Sequence, residues 1–102
     1  MRYDIAIIGS GPAGLSAAVN AKIRNKSFII FGNKSLSTKI EKAPSIDNYL
    51  GLYNISGANL KQHFMDHIES MDIQIDEHKN TYKFFHAPSP YILNYLQFII
   101  II

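Results

Sequence analysis

Three glycines, Gly9, Gly11 and Gly14, carry the most legible chemistry in this chain. They are spaced G-x-G-x-x-G, directly after the apolar run Ile5-Ala6-Ile7-Ile8 and just before an alanine-rich stretch that begins near Pro12. Each position has a physical task in gripping the pyrophosphate of a dinucleotide. Gly9 permits the tight turn out of a strand. Gly11 has no side chain to hold a phosphate away from the backbone, and Gly14 lets the next helix pack close. The first N–H groups of that helix point at the phosphates, where the helix dipole adds ~0.3–1 kcal/mol at an exposed site. Pro12 suits the first helical turn, where its missing N–H costs nothing. The alternative is an accidental glycine turn, and the flanking strand and helix weigh against it.

The other residues that could do chemistry read more plainly. Ser10 lies in the glycine turn, but the segment is not G-x-S-x-G and no partner His and Asp can be paired with it. His63 and His67 are four apart on a predicted helix, yet the Glu or third ligand that a metal site needs is missing, so they read as a solvated face. Asp76-Glu77 reads as a strand end rather than a carboxylate pair. A dinucleotide fold usually places an acid ~20 residues beyond its glycines to bind a ribose hydroxyl. Here that place reads Phe31-Gly32-Asn33-Lys34, with no acid. Asn33 could take the ribose bond more weakly, and Lys34 could face a 2′-phosphate or simply be an exposed loop lysine.

The elements that must position these groups follow from periodicity. Residues 3–8 are short, β-branched and apolar, as a strand buried on both faces should be. Pro12 to Arg24 form a helix with Leu15, Ala18, Val19 and Ile23 on its apolar face. Asn25-Lys26-Ser27 turns the chain back into a second strand, Phe28–Phe31, which completes a βαβ unit. Residues 33–56 keep neither period, and loops longer than ~12–15 residues are usually functional or disordered. Ile46-Asp47-Asn48-Tyr49-Leu50-Gly51 mixes apolar anchors with polar groups, so the stretch is read as an ordered binding loop. Ser56 can cap a helix over 57–71 with Leu60, Phe64, Ile68 and Met71 as its stripe. Ile73–Asp76 alternates as a third strand, His78–Thr81 turns, and Tyr82 could open a fourth.

With 102 residues, the chain is one small domain or a piece of a larger one. A net charge of +2 from ten basic and eight acidic residues gives no basic stripe for nucleic acid. There is no cysteine, so disulfides, thiolate metal sites and a redox dithiol are excluded within it. The start is no signal peptide and no run reaches the ~20 apolar residues of a membrane span, so a cytoplasmic location is expected.

Residues 3–18, Tyr-Asp-Ile-Ala-Ile-Ile-Gly-Ser-Gly-Pro-Ala-Gly-Leu-Ser-Ala-Ala, resemble the start of the low-molecular-weight thioredoxin reductases and related FAD-dependent pyridine nucleotide–disulfide oxidoreductases. Gly32 after strand two, Ile46–Gly51, Ile55–Leu60 and Met71–Ile75 are similar to later segments of that family. The resemblance implies an α/β fold, the partial Rossmann-type start of an FAD-binding domain. It implies that Gly9, Ser10, Gly11, Pro12, Ala13 and Gly14 hold the FAD pyrophosphate. Gly32 and Asn33 would lie near the adenosine end, and Asn48 would approach the flavin ring. The family's Gly-Gly-Gln segment is replaced here by Ser35-Leu36-Ser37-Thr38-Lys39, which fits a divergent subgroup. The implied reaction is electron transfer from NADPH through FAD to a disulfide or another acceptor, with homodimers among full-length relatives. The nicotinamide domain and its Cys-x-x-Cys are not in this sequence, so the chain alone is not expected to turn over. Two other classes stay open: a non-catalytic nucleotide-binding or interaction fragment, and a piece of an NAD-dependent dehydrogenase.

The pattern holds over residues 1–83 and changes at 84–102, where Asp, Glu, Lys and Arg are absent and four isoleucines end the chain. This tail is read as a frameshift or truncation product. An apolar segment docked on the sheet and a membrane tail are the alternatives.

Overall fold

The computed structural model describes residues 3–36 and 38–77, and residues 96–101 as backbone. The expected turn at 78–81, a strand opening at Tyr82 and the tail up to residue 95 lie outside the described residues. The elements run β1 (Tyr3–Ile8), α1 (Pro12–Ile23), β2 (Phe28–Phe31), α2 (Thr38–Glu41), α3 (Gly57–Ser70), β3 (Ile75–Asp76) and β4 (Leu96–Ile101). The sheet has the order β3-β2-β1-β4, and every pairing is parallel. Chain order therefore runs outward from β1 to β3 on one side and resumes with β4 on the other. Such a reversal is a topological switch point, and the crevice beyond the strand ends there is where α/β sheets take ligands. The glycine loop leaves β1 at that place.

Register explains which residues make the core. Ile5 pairs with Phe28, Ile7 with Ile30, and Ile30 with Ile75. Alternation sends these side chains to one face of the sheet, where they meet Leu15 and Ala18 of α1 and Ile68 of α3. Burying a side chain of this size fully contributes about 1.5–3 kcal/mol. Ile7 and Ile30 are completely buried at the centre of the cluster. β4 lies along the other edge of β1, with Ile5 opposite Phe98 and Ile8 opposite Ile101.

Both long helices end in the same way. In α1 the N–H of Lys26 donates to the Ala21 carbonyl at 3.0 Å and that of Asn25 to Lys22 at 3.1 Å. In α3, Ile73 donates to Ile68 and Asp72 to Glu69, each at 3.0 Å. These are Schellman motifs, which need a left-handed residue just past the helix, most often glycine. Here Asn25 (φ 55°) and Asp72 (φ 54°) take that conformation instead.

Two expectations are corrected. Ile23 is 62% exposed, and Ala21 is buried in its place. At 3.6 residues per turn, Ile23 stands about 140° from Ala18, the middle of the buried arc formed with Gly14, Leu15 and Ala21. The third strand covers only Ile75–Asp76, not Ile73–Asp76. The N–H of Ile73 closes the cap of α3, so Ile73 is buried without joining the ladder.

Candidate functional site

The glycine loop is built from the backbone outward. Gly9 has φ 118°, which an L side chain rarely adopts, and its N–H donates to the Phe31 carbonyl at 2.8 Å. A β-carbon on Gly14 would run into the Gly9 carbonyl, so α1 sits directly on the turn. Gly11 is the N-cap of α1, with φ −79° and ψ −177°. That is ordinary extended backbone, so no conformational need calls for glycine at position 11. Space is the reason that remains, because a β-carbon there meets no atom within 4 Å.

No side chain caps this end of α1, and no acidic residue lies in its first turn. Pro12 occupies the first helical position, and Leu15 makes the first bond back, to the Gly11 carbonyl at 3.0 Å. The N–H groups of Ala13 and Gly14 therefore face an open cradle. An anion fits such a place without any charged side chain.

The structure brings the end of β2 against this loop. The hydroxyl of Ser10 donates to the Asn33 carbonyl and accepts from the Asn33 N–H, both at 3.0 Å. Ser10 is thus tied to backbone, with no nucleophile's partners among the described residues. The Oδ1 of Asn33 accepts from the Ser35 N–H at 3.0 Å and from the Ser35 hydroxyl at 2.7 Å. This leaves the amide NH2 of Asn33 as the end that can reach a ligand. Asn48 is exposed in the loop between the bridges Ile46–Ile55 and Tyr49–Leu52, and no hydrogen bond joins it to the other candidates among the described residues.

The loop around Asn48 is ordered, as expected, and its own Asp47 and Tyr49 tie it down. The Asp47 carboxylate accepts from the Asn54 N–H at 3.1 Å and the Ser45 hydroxyl at 3.4 Å. Tyr49 packs on Phe64 of α3 with ring centroids 5.5 Å apart. Gly57 accepts no β-carbon, because the Ile40 carbonyl of α2 lies against it. Glu77 stands at the end of β3, as read from the sequence, and its Oε1 accepts from the Lys34 N–H at 2.7 Å, which steadies the turn after β2.

His63 and His67 are exposed on α3, and no group of three His, Cys, Asp or Glu that could hold a metal occurs among the described residues. No described helix is long and apolar enough to cross a membrane. A hollow of about 370 Å3 lined by Lys34, Met65, Ile68 and Asp72 includes no residue of the glycine loop.

Residues 4–97 match the family model described as FAD binding domain. The chain is 37% identical over 73 residues to the thioredoxin reductase of Ureaplasma parvum, covering 72% of this chain and 24% of that protein. It is 34% identical over 82 residues to a 34.2 kDa protein in the rubredoxin operon of Clostridium pasteurianum, covering 80% of this chain and 27% of that one. The chain thus spans about a quarter of the length of these curated relatives. Among solved structures it resembles a ferredoxin-flavin thioredoxin reductase from Clostridium acetobutylicum, with a TM-score of 0.74 and 61% identity. That match covers 78% of this chain and 28% of the other.

Proposed function

The chain belongs to the FAD binding domain family, and on that premise we propose that it is the FAD-holding part of a flavin oxidoreductase of the thioredoxin reductase type. The observation that carries this reading is the open cradle over Gly11 at the uncapped start of α1. The residues present fit the pyrophosphate of FAD. Gly9 turns the chain, Gly11 admits the phosphates, and Pro12 starts the helix without wasting a donor. Ala13 and Gly14 supply N–H groups, with Ser10 contributing through the backbone. Gly32 and Asn33 serve the adenosine end, and the Asn33 amide NH2 is suited to a ribose hydroxyl. Asn48 is assigned to the flavin end on the strength of the family resemblance.

Bound FAD would supply two-electron chemistry, taking reducing equivalents from a donor and passing them to a disulfide or another acceptor. The chain's own part is to hold and orient the dinucleotide. NAD(P)H is the donor that the resemblance implies. A second reading is favoured by the 61% identity to a protein named for ferredoxin: reduced ferredoxin is then the donor. A cytoplasmic homodimer, and the division into 1–83 and an apolar stretch at 84–102, belong to the same proposal.

The test is the visible spectrum of the purified chain. Retained flavin absorption supports the reading, and a colourless protein that takes up no added FAD contradicts it.

A further inference from the structure

We propose that the hydroxyl of Ser10 is a positioning group that couples the phosphate-gripping glycine loop to the turn at the adenosine end, an inference that rests on the FAD reading. The glycine motif by itself would place Ser10 among the phosphate contacts. Its side chain does something different. Ser10 is 7% exposed, and its one hydroxyl serves both backbone groups of Asn33.

The neighbouring glycine exists to admit that hydroxyl. A β-carbon on Gly32 would lie 2.5 Å from the Ser10 Oγ, 2.7 Å from its Cβ and 2.9 Å from its backbone nitrogen. A glycine after β2 is thus the counterpart of a serine after β1.

The turn that follows is closed on itself. Asn33 holds Ser35 through Oδ1, and the Leu36 N–H returns to the Asn33 carbonyl at 2.9 Å. Leu36 is 2% exposed and anchors the turn in the core at φ 62°. The turn therefore has a fixed shape of its own. On its outer side the turn is held by Asp76, which accepts from the Gly32 N–H, and by Glu77, which accepts from the Lys34 N–H; on the side of the glycine loop it is held by Ser10 and the Gly9–Phe31 ladder bond. Removing the hydroxyl leaves a part-buried N–H without its acceptor, which is costly unless the turn moves toward water. That movement displaces the adenosine contacts and leaves the pyrophosphate cradle at Gly11 and α1 as it was.

The experiment titrates the full chain with FAD, ADP and inorganic pyrophosphate, the last by competition against FAD. Ser10→Ala is expected to weaken FAD and ADP about tenfold and to leave pyrophosphate unchanged. Ser10→Thr, which keeps the hydroxyl, is expected to restore both affinities. An equal loss for all three ligands would put the hydroxyl on the phosphates and overturn the proposal. Unchanged FAD affinity in Ser10→Ala, or no recovery in Ser10→Thr, would also overturn it. Should Ser10→Ala fail to fold, Gly32→Ala, which crowds the same hydroxyl, is judged by the same three titrations. A wild-type chain that binds none of the ligands removes the FAD reading itself, an outcome distinct from wild-type binding that Ser10→Ala leaves intact.

Discussion

Gly14 and Gly9 touch so closely that a β-carbon on Gly14 would collide with the Gly9 carbonyl oxygen, whereas one on Gly11, between them, would meet nothing within 4 Å. One glycine is thus required by the fold and the other, on the proposed reading, by the ligand that fills the space outside it. The two requirements separate under mutation.

Gly14→Ala should destabilise the chain by about 1–3 kcal/mol, the usual cost of forcing extra volume into a packed contact. The colliding atom is backbone, so it cannot swing aside as the end of a flexible side chain would. Chemical denaturation measures this directly. An unchanged midpoint would mean that α1 does not rest on the Gly9 turn.

Asp72→Gly should act in the opposite direction. Asp72 holds φ 54° in the cap of α3, a conformation that costs an L residue about 1–2 kcal/mol. Glycine relieves that cost and gives back part of it in unfolded-state entropy, for a net gain of about 0.5–1 kcal/mol. The thermal midpoint should rise. A fall would show that the bond from Gln74 Nε2 to the Asp72 carboxylate, long at 3.4 Å, matters more than the backbone does.

Asn48→Ala should change flavin contact while leaving stability within about 0.5 kcal/mol, since the residue is exposed and outside the core. The readouts are denaturation and FAD affinity on the same preparation. A stability loss above ~2 kcal/mol with FAD affinity unchanged would mark Asn48 as a structural residue instead.

How far the sequence was legible follows from what each signal depends on. β1, α1 and β2 are local patterns, and the glycine spacing names its own task, so their bounds match to within a residue. Ile23 misled because an apolar residue at a plausible spacing still needs a surface to pack on, and the core lies under Ala18 instead. Ile73 misled because alternation cannot reveal that a helix cap has already taken its N–H. Ser10 and Asn33 are 23 positions apart, and only the parallel pairing of β1 with β2 brings them together. The bond to Glu77 escaped for the same reason, since its partner Lys34 lies 43 positions away.

The central claim is that the space over Gly11 is where the FAD pyrophosphate lies. Isothermal titration of FAD into the wild-type chain and into Gly11→Val tests it most directly. The extended backbone at position 11 and the empty surroundings allow a valine without disturbing the fold, so both proteins should show the same denaturation midpoint. The account predicts saturable FAD binding by the wild type and none by Gly11→Val. Equal FAD affinity in two equally folded proteins would contradict it.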